Sequence, residues 1–363
     1  MKDIAAVAEV HPTTVSMALR GHHRIPERTR QRIKKIAKNM DYRPDPALAS
    51  LMAYRLNSKN RKIQSELAWI DIAEDREYQR KNQIITEYHK GARARAAELG
   101  YNLERFEGHP DYMPAKRLNK ILKERGIQGV LIAPLQTDYP DAVRTIDLHW
   151  NDFSCITFGY SLRAPEIHRV SSNFYQFVYT ILRTGLERGF QRPGLVLNNY
   201  HNARIAYLWE AAYQTYGRRM FPGTLCPPFL FDLARVPEKE FRRWFQQHKP
   251  DMLIGHPKYG LPRLVQKLEY DVPEDVAIAY LGNNRDGAAG INRNDDYLGE
   301  IAVDRLVGMV QQYRKGVPNR PTVTLIDGIW EEGWTMPEES CAQAIADFNE
   351  NPNLHFPRAM PGG

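Results

Sequence analysis

The sequence predicts two unlike parts, a small all-α module at the amino terminus followed by a large α/β domain with two parallel sheets. Three observations predict this fold class. The first 40 residues have helical apolar periodicity, and from residue 66 onward short apolar runs alternate with amphipathic segments. The length of 363 residues also exceeds that of one ordinary domain.

The composition excludes a membrane protein and a disulfide-rich one. A hydrophobic fraction of 42% with 26% charged residues is typical of a soluble globular chain, and no apolar run reaches the roughly 18 residues of a membrane helix. The segment Met1–Ala5 lacks the features of a signal peptide, so a cytoplasmic location is expected. Cys155, Cys226 and Cys341 are far apart, which predicts ordinary thiols and neither a disulfide framework nor a zinc site. No cofactor and no metal are expected.

The excess of positive over negative charge lies in the first part of the chain. Residues 1–62 contain fourteen Lys and Arg against five Asp and Glu, a net charge of +9, so the other residues carry −2 of the total of +7. This distribution is typical of a module that neutralises phosphates. A disordered basic tail is the alternative, but such a tail would not have periodic apolar positions.

Three short helices are predicted in this basic segment. The first has Ile4, Val7 and Ala8 on one face and ends near Glu9. His11-Pro12 has the residue types of a helix start, as N-cap and first helical position. The second helix runs from Pro12 to Leu19 and is expected to bury Val15 and Leu19.

The third helix is predicted from Glu27 to Met40. Its inward positions are expected to be Ile33, Ile36, Ala37 and Met40, and its outward positions Arg28, Arg30, Arg32, Lys34, Lys35 and Lys38. Two short helices joined by a tight turn and followed by a longer one form a helix-turn-helix module.

The string KDIAAVAEVHPTTVSMALRGHHRIPERTRQRIKKIAKNMDYRPDPALASL, residues 2–51, resembles the DNA-binding headpiece of the LacI/GalR (lactose-repressor) family of bacterial regulators. The resemblance implies a second helix in the major groove of a near-palindromic operator, bound by a homodimer. The residues that it assigns to DNA contact in the headpiece are Pro12, Thr13, Thr14, Ser16, Met17 and Arg20. Met17 departs from the family, which usually has an arginine there, and a thioether cannot make the arginine's paired hydrogen bonds to guanine.

Residues 45–65 are interpreted as a hinge helix and linker that follow the headpiece of residues 1–44. In the resembled family this hinge folds on DNA and inserts a leucine into the minor groove, and Leu51 holds that position. Ala47 and Ser50 are the further hinge residues expected to contact DNA.

Residues 66–349 are predicted to form the α/β domain, and residues 350–363 a frayed tail. The predicted strands are Leu67–Ile72, Leu103–Phe106, Val130–Leu135, Cys155–Phe158, Leu195–Leu197, Met252–Ile254 and Val276–Leu281. The predicted helices are Gln83–Leu99, Ala115–Arg125, Phe174–Glu187, Ala203–Tyr216, Glu238–Gln247 and Leu261–Leu268. The phrases DVPEDVAIAYLG and LGEIAVDRLVGMV also resemble the LacI/GalR effector domain, which implies a periplasmic-binding-protein-like pair of parallel-sheet lobes.

The resemblance implies that this domain binds a small polar effector such as a sugar. Arg204 aligns with an arginine that the family uses to hold hydroxyls or a carboxylate. At three places where the family has polar motifs that bind the ligand, this chain has other residues. They are Ser172-Asn173, Gly255-His256-Pro257 and Gly282-Asn283-Asn284. His256, Asn283 and Arg293 are therefore the candidate substitutes. The aromatic residues of the domain, among them Trp69, Tyr160, Tyr207 and Trp209, are expected mainly in the core.

Two other functions stay open at this point. One is an α/β enzyme, although the chain has no GxSxG, GxxxxGK[ST], GxGxxG or HExxH motif. The other is a soluble sugar-binding protein that does not act on DNA. The sequence favours a repressor that is not an enzyme, but it fixes neither the effector nor the sign of its effect.

Overall fold

The computed structural model describes residues 2–11, 14–15, 18, 25–40, 65–73, 75–134, 146–282 and 286–338. The helices, in chain order, are α1 (Lys2–Val7), α2 (Glu27–Asn39), α3 (Arg76–Lys81), α4 (Gln83–Glu98), α5 (Ala115–Glu124), α6 (Phe174–Glu187), α7 (Asn199–Arg204), α8 (Leu208–Ala212), α9 (Arg218–Met220), α10 (Glu238–His248), α11 (Leu261–Gln266) and α12 (Asp295–Gln311). The strands are β1 (Ser65–Asp71), β2 (Tyr101–Glu107), β3 (Gly129–Ile132), β4 (Ser154–Phe158), β5 (His168–Ser172), β6 (Pro193–Asn198), β7 (Phe229–Phe231), β8 (Met252–Gly255), β9 (Ala277–Tyr280), β10 (Gly290–Asn292), β11 (Val323–Ile326) and β12 (Ile329–Glu331).

The amino-terminal module has a small apolar core. Thr14, Val15 and Ala18 are helical between α1 and α2, as the sequence predicts. The buried side chains of this core are Ile4, Ala5, Ala8, Val15, Ala18, Ile33 and Ala37. Leu19, also predicted to be buried, lies outside the described residues.

Two inward positions of this module are predicted wrongly. Val7 is 61% exposed, because the buried stripe of α1 runs through Ala5 instead. Met40 is 42% exposed, because α2 ends one residue before it.

Helix α1 ends in a backbone hydrogen-bond pattern that needs a left-handed residue. The amide of Val10 donates to the carbonyl of Ala5 at 3.0 Å, and the amide of Glu9 donates to that of Ala6 at 3.3 Å. Glu9 has a φ of 51°, the conformation for which glycine is usual in this motif. The half-buried Val10 then packs against the core.

The chain divides into two compact units. Unit 1 consists of residues 1–171 and 295–324, and unit 2 of residues 172–294 and 325–363. One six-stranded sheet has the order β11-β5-β4-β3-β1-β2, and the other has the order β12-β10-β9-β8-β6-β7. Strands β1 to β5 pair in parallel, as do β6 to β9, and β12 is antiparallel to β10.

Most predicted elements of the α/β domain are confirmed to within two residues at each end. The predicted helix Ala203–Tyr216 is wrong, because α7 ends at Arg204 and α8 begins only at Leu208. Ala206 and Tyr207 between them have φ values of 58° and 61°. The predicted strand Val130–Leu135 stops early, at Ile132. The sequence reading also missed α3 and several strands, of which β7, β10 and β12 have only three residues each.

In unit 1, helices α4 and α12 approach each other closely through glycines. A Cβ on Gly91 would lie 1.8 Å from the carbonyl oxygen of Asp296, and a Cβ on Gly299 would lie 2.0 Å from that of Tyr88. Arg95 Nε also donates to Asp304 Oδ1 at 2.8 Å across this helix pair. Because backbone lies opposite each glycine, no side-chain rotation could make room.

Among the described residues, no helix combines the length and the apolar character that a bilayer span requires.

Replacing Gly299 by alanine should lower the free energy of unfolding by about 1–3 kcal/mol, because the new methyl group forces α4 and α12 apart. Gly308→Ala is the matched control, since Gly308 is also in α12 and a Cβ there would meet no atom within 4 Å. The control should raise stability by about 0.5–1 kcal/mol. Urea unfolding at equilibrium measures both. Equal effects of the two substitutions would contradict the close approach.

Candidate functional site

Of the residues predicted to contact DNA, only Thr14 lies among the described residues. Pro12, Thr13, Ser16, Met17, Arg20, Ala47, Ser50 and Leu51 lie outside them. The Thr14 amide donates to the His11 carbonyl at 2.8 Å, and the Val15 amide donates to the same oxygen at 3.3 Å. This is the pattern expected of an N-cap residue at position 11. Thr14 is half-buried beside the fully buried Val15.

Helix α2 has its basic side chains on the outside of the module. Arg32 Nη2 donates to the carbonyl of Ala8 at 2.6 Å and so joins α2 to the end of α1. Arg30 pairs with Glu27, and the pKa of Glu27 is lowered by its hydrogen bond from Gln31 and by the Arg30 charge. The further exposed cations of this helix are Arg28, Lys34, Lys35 and Lys38. The outer face of α2 is therefore positively charged.

The predicted effector residues Arg204, His256 and Arg293 all belong to unit 2. His256 directly follows β8, Arg293 directly follows β10, and Arg204 ends the short helix that follows β6. The carboxyl ends of parallel strands meet at one edge of a sheet, where α/β proteins commonly bind ligands. Asn283, the fourth predicted residue, lies outside the described residues.

One ring nitrogen of His256 is a hydrogen-bond acceptor, since its Nδ1 accepts from the Lys258 amide at 3.2 Å. A neutral ring with this bond has its proton on Nε2. Burial, together with the charges of His201, Arg293, Lys258 and Arg204, lowers the pKa of His256 well below its ordinary value. His256 is therefore a neutral hydrogen-bond donor in positively charged surroundings.

His201 and Tyr259 also belong to this site, although the sequence reading did not single them out. Their rings stack with centroids 5.8 Å apart, and His201 Nδ1 lies 2.9 Å from Tyr259 Oη. The amide of Asn198 donates to the same hydroxyl oxygen at 3.0 Å. His201 lies 5.7 Å from the ring of His256, measured between centroids. The only sequence signal was the position of both residues just after predicted strands.

Each of the two arginines lies over an aromatic ring. The guanidinium carbon of Arg204 is 6.0 Å from the ring centre of Tyr200, and that of Arg293 is 5.7 Å from that of Phe174. Phe174 in turn meets Trp209 edge to face, with centroids 5.6 Å apart. Arg293 is only 6% exposed, whereas Arg204 is half-buried.

The indole of Trp209 is a buried donor. Its side chain is 3% exposed, as expected of a core residue, but its Nε1 has no hydrogen-bond acceptor among the described residues. Trp69 is fully buried, and its Nε1 donates to Asp71 at 3.0 Å. Tyr160 is half-buried, and Tyr207 is 54% exposed, against the expectation of a core position.

Asn173, at one of the replaced family motifs, has a structural role. Its Oδ1 accepts from the Gln176 amide at 3.4 Å at the start of α6, and its Nδ2 donates to Asp327 at 2.8 Å. Cys155 and Cys226 are buried free thiols, as predicted, and burial raises the pKa of Cys226 to about 11. Cys341 lies outside the described residues.

Comparison with known proteins identifies the amino-terminal module. Residues 1–45 match the family model of the bacterial regulatory proteins of the lacI family. This similarity to the lacI family is shown for the amino-terminal module. The HTH-type transcriptional regulator DegA of Bacillus subtilis (strain 168) is 29% identical over 133 residues. That match covers 36% of this chain and 35% of DegA, so it spans about a third of the curated relative.

Solved structures of lacI-family proteins resemble the whole fold. The lac repressor dimer bound to operator and the anti-inducer ONPF has a TM-score of 0.54 at 15% identity, with 94% of this chain and 98% of that chain covered. The regulator CelR in complex with cellobiose has a TM-score of 0.51 at 15% identity, with 92% and 98% covered. The CCPA regulator of Weissella paramesenteroides with bound glucose has a TM-score of 0.51 at 14% identity, with 75% and 98% covered. These similarities confirm the predicted fold class, a helix-turn-helix headpiece with a periplasmic-binding-protein-like α/β domain.

The break between α7 and α8 predicts an unusual substitution effect. Tyr207 has φ 61° and ψ 19°, a conformation that costs a residue with a Cβ about 1 kcal/mol and costs glycine nothing. Tyr207→Gly should therefore raise the free energy of unfolding by about 0.5–1 kcal/mol.

Ala211→Gly, at an exposed position of α8, is the control and should lower that free energy by about 1 kcal/mol. Thermal and urea unfolding measure both variants. A loss of stability in Tyr207→Gly would mean that contacts of the tyrosine ring outweigh its backbone strain.

Proposed function

We propose that the protein is a sequence-specific DNA-binding transcriptional regulator, a homodimeric repressor whose α/β domain binds a small polar effector. The observation that carries this proposal is the match of residues 1–45 to the lacI family. The exposed cations of α2 support it, because Lys and Arg side chains provide the electrostatic part of DNA binding.

In this proposal the two headpieces of a dimer bind the two half-sites of a near-palindromic operator. The second helix, which contains Thr14, lies in the major groove, and the hinge that contains Leu51 bends the centre of the site. The related lac repressor dimer, whose structure was solved with its operator, supports this arrangement.

The α/β domain supplies the regulation. In this proposal the effector changes the affinity for DNA, and DNA then changes the affinity for the effector by the same factor, with a coupling free energy of about 1–3 kcal/mol. Relatives solved with cellobiose and glucose support a sugar or a related polyol as the effector. Arg204, His256 and Arg293 are the described residues proposed to bind it, and Asn283 is proposed with them.

The core of the headpiece provides a direct test. Ile33 is fully buried in a core to which seven of the described residues contribute buried side chains. Ile33→Ala should remove about 2–5 kcal/mol, which is most of the stability that so small a module can have. We expect the variant to lose binding to duplexes that the unaltered protein selects from a random pool, as measured by fluorescence anisotropy.

Met40→Ala is the matched control, because Met40 is 42% exposed just beyond the same helix, and it should bind within about twofold of the unaltered protein. Binding by the unaltered protein should also fall steeply with rising salt. Full duplex affinity in Ile33→Ala would contradict the proposal.

Position 17 tests the orientation of the second helix. Met17→Arg restores a side chain that can donate two hydrogen bonds to O6 and N7 of guanine. Selection from a random pool should then give a motif with guanine at one symmetric pair of positions, where the unaltered protein selects another base. An unchanged motif would refute this placement of the helix.

A further inference from the structure

We infer that residues 329–336 of unit 2, which we call the strap, hold Arg293 in the position that effector binding requires. The strap consists of β12 and the residues up to Met336. The role of Arg293 as an effector residue rests on the proposed function. Thr335, Trp334 and Arg188 are the positioning residues, because each makes a contact that fixes the strap or the backbone next to it.

The strand that leads into Arg293 depends on the strap for most of its pairing. Among the described residues, β10 pairs with β9 only through Gly290 and Tyr280. It pairs with β12 along its whole length. Asn292 Nδ2 also donates to Glu331 Oε1 at 2.6 Å across this second ladder. The backbone just before Arg293 is therefore held mainly by residues from much later in the chain.

Thr335 joins β9 to the residue that precedes β10. Its side chain is fully buried, and its hydroxyl donates to the carbonyl of Ile278 at 2.7 Å and accepts from the amide of Ala289 at 3.0 Å. The amide of Ile278 donates in turn to the carbonyl of Thr335 at 2.9 Å. A buried amide without an acceptor is unfavourable, so the start of β10 depends on this one hydroxyl.

The strap also contacts the loop between β9 and β10. The backbone amide of Trp334 donates to the carbonyl of Gly287, and its indole Nε1 donates to the carbonyl of Asp286, both at 3.1 Å. Gly333 lies against the same loop, since a Cβ there would be 2.2 Å from the carbonyl carbon of Ala288. Trp334 is 48% exposed, so its main contribution is to restrain the loop and not to fill the core.

Arg188 attaches the strap to the end of α6. Its Nη2 donates to both carboxylate oxygens of Glu332, at 2.6 and 2.7 Å, and its Nη1 donates to the carbonyl of the buried Met336. Its guanidinium carbon lies 5.4 Å from the ring centre of Trp330, whose Nε1 donates to Glu332 Oε1 at 2.7 Å. Arg188 is itself buried, and charged hydrogen bonds of this kind are strong and directional. They hold the strap in one place.

The side chain of Arg293 cannot adjust freely if β10 moves. It is 6% exposed, and its guanidinium carbon lies 5.7 Å from the ring centre of Phe174. Its stem passes close to the end of β9, since a Cβ on Gly282 would be 3.3 Å from Arg293 Cδ. Close packing leaves such a side chain few other rotamers, so a displacement of β10 would also displace the guanidinium.

Thr335→Val in the full chain tests this inference, because valine has the shape of threonine without its hydroxyl. Hydrogen exchange, followed by mass spectrometry, should become about 10-fold faster over residues 286–293 and stay unchanged over β6 and β8. The ¹⁵N resonance of the Arg293 Nε–H group, assigned by its absence in Arg293→Lys, should shift. Thr335→Ser keeps the hydroxyl and should restore both readouts. Thr215→Val, at an exposed position, is the control.

Trp334→Phe removes only the indole hydrogen bond of an exposed side chain, so it provides the test if Thr335→Val does not fold. Exchange over residues 286–293 should rise about threefold in this variant. Unchanged exchange and an unchanged Arg293 resonance would refute the inference. An equal rise over β6 and β8 would also refute it, because the hydroxyl would then support unit 2 as a whole.

Duplex binding by the unaltered protein is measured in parallel. Neither readout on the strap needs DNA or an effector. Absence of duplex binding would therefore refute the proposed function alone, and absence of the local changes would refute this inference alone.

Discussion

Parallel strand pairing in unit 2 is the constraint on which the candidate site depends. Strands β6, β8 and β9 run in one direction, so the residues after them meet at one edge although they are far apart in the chain. Side-chain hydrogen bonds to backbone amides hold the chain just after two of these strands. Asn198 caps α7, and the His256 side chain accepts from the amide two residues on. These two caps fix the backbone just after β6 and β8.

The apolar periodicity of the sequence was sufficient to predict the long helices and strands. It did not predict backbone conformation at single residues. Helix α6 was predicted with its observed bounds because fourteen residues carry a clear apolar face. The prediction of one helix across positions 203–216 was wrong because the backbone of Ala206 and Tyr207 has a left-handed conformation. Neither alanine nor tyrosine is a residue type that indicates this conformation. The three-residue strands were not predicted, because an alternation of apolar and polar residues cannot be recognised over so short a run.

The candidate site was predictable only in part, for a related reason. Arg204, His256 and Arg293 were predicted from the resemblance, Arg204 by its alignment and the other two as substitutes for family motifs that this sequence replaces. His201 and Tyr259 were missed because their bond at 2.9 Å joins a short helix after β6 to a turn after β8. Nothing in the sequence indicates which two of many polar residues after strands will meet. Helix α1 shows the same limit. Its sequence is compatible with either Ala5 or Val7 on the inward face, and the structure buries Ala5.

The two parts of the chain use their charges in different ways. On α2 the exposed cations surround a core of small and β-branched side chains, so most of the positive charge of this helix stays in contact with water. In unit 2, Arg293 is almost fully buried. An exposed cation exchanges partners freely with water and salt, whereas burial removes a cation from water at a cost that interactions of fixed geometry must offset. Burial therefore distinguishes the solvated cations of α2 from a guanidinium that the fold of unit 2 holds in one place.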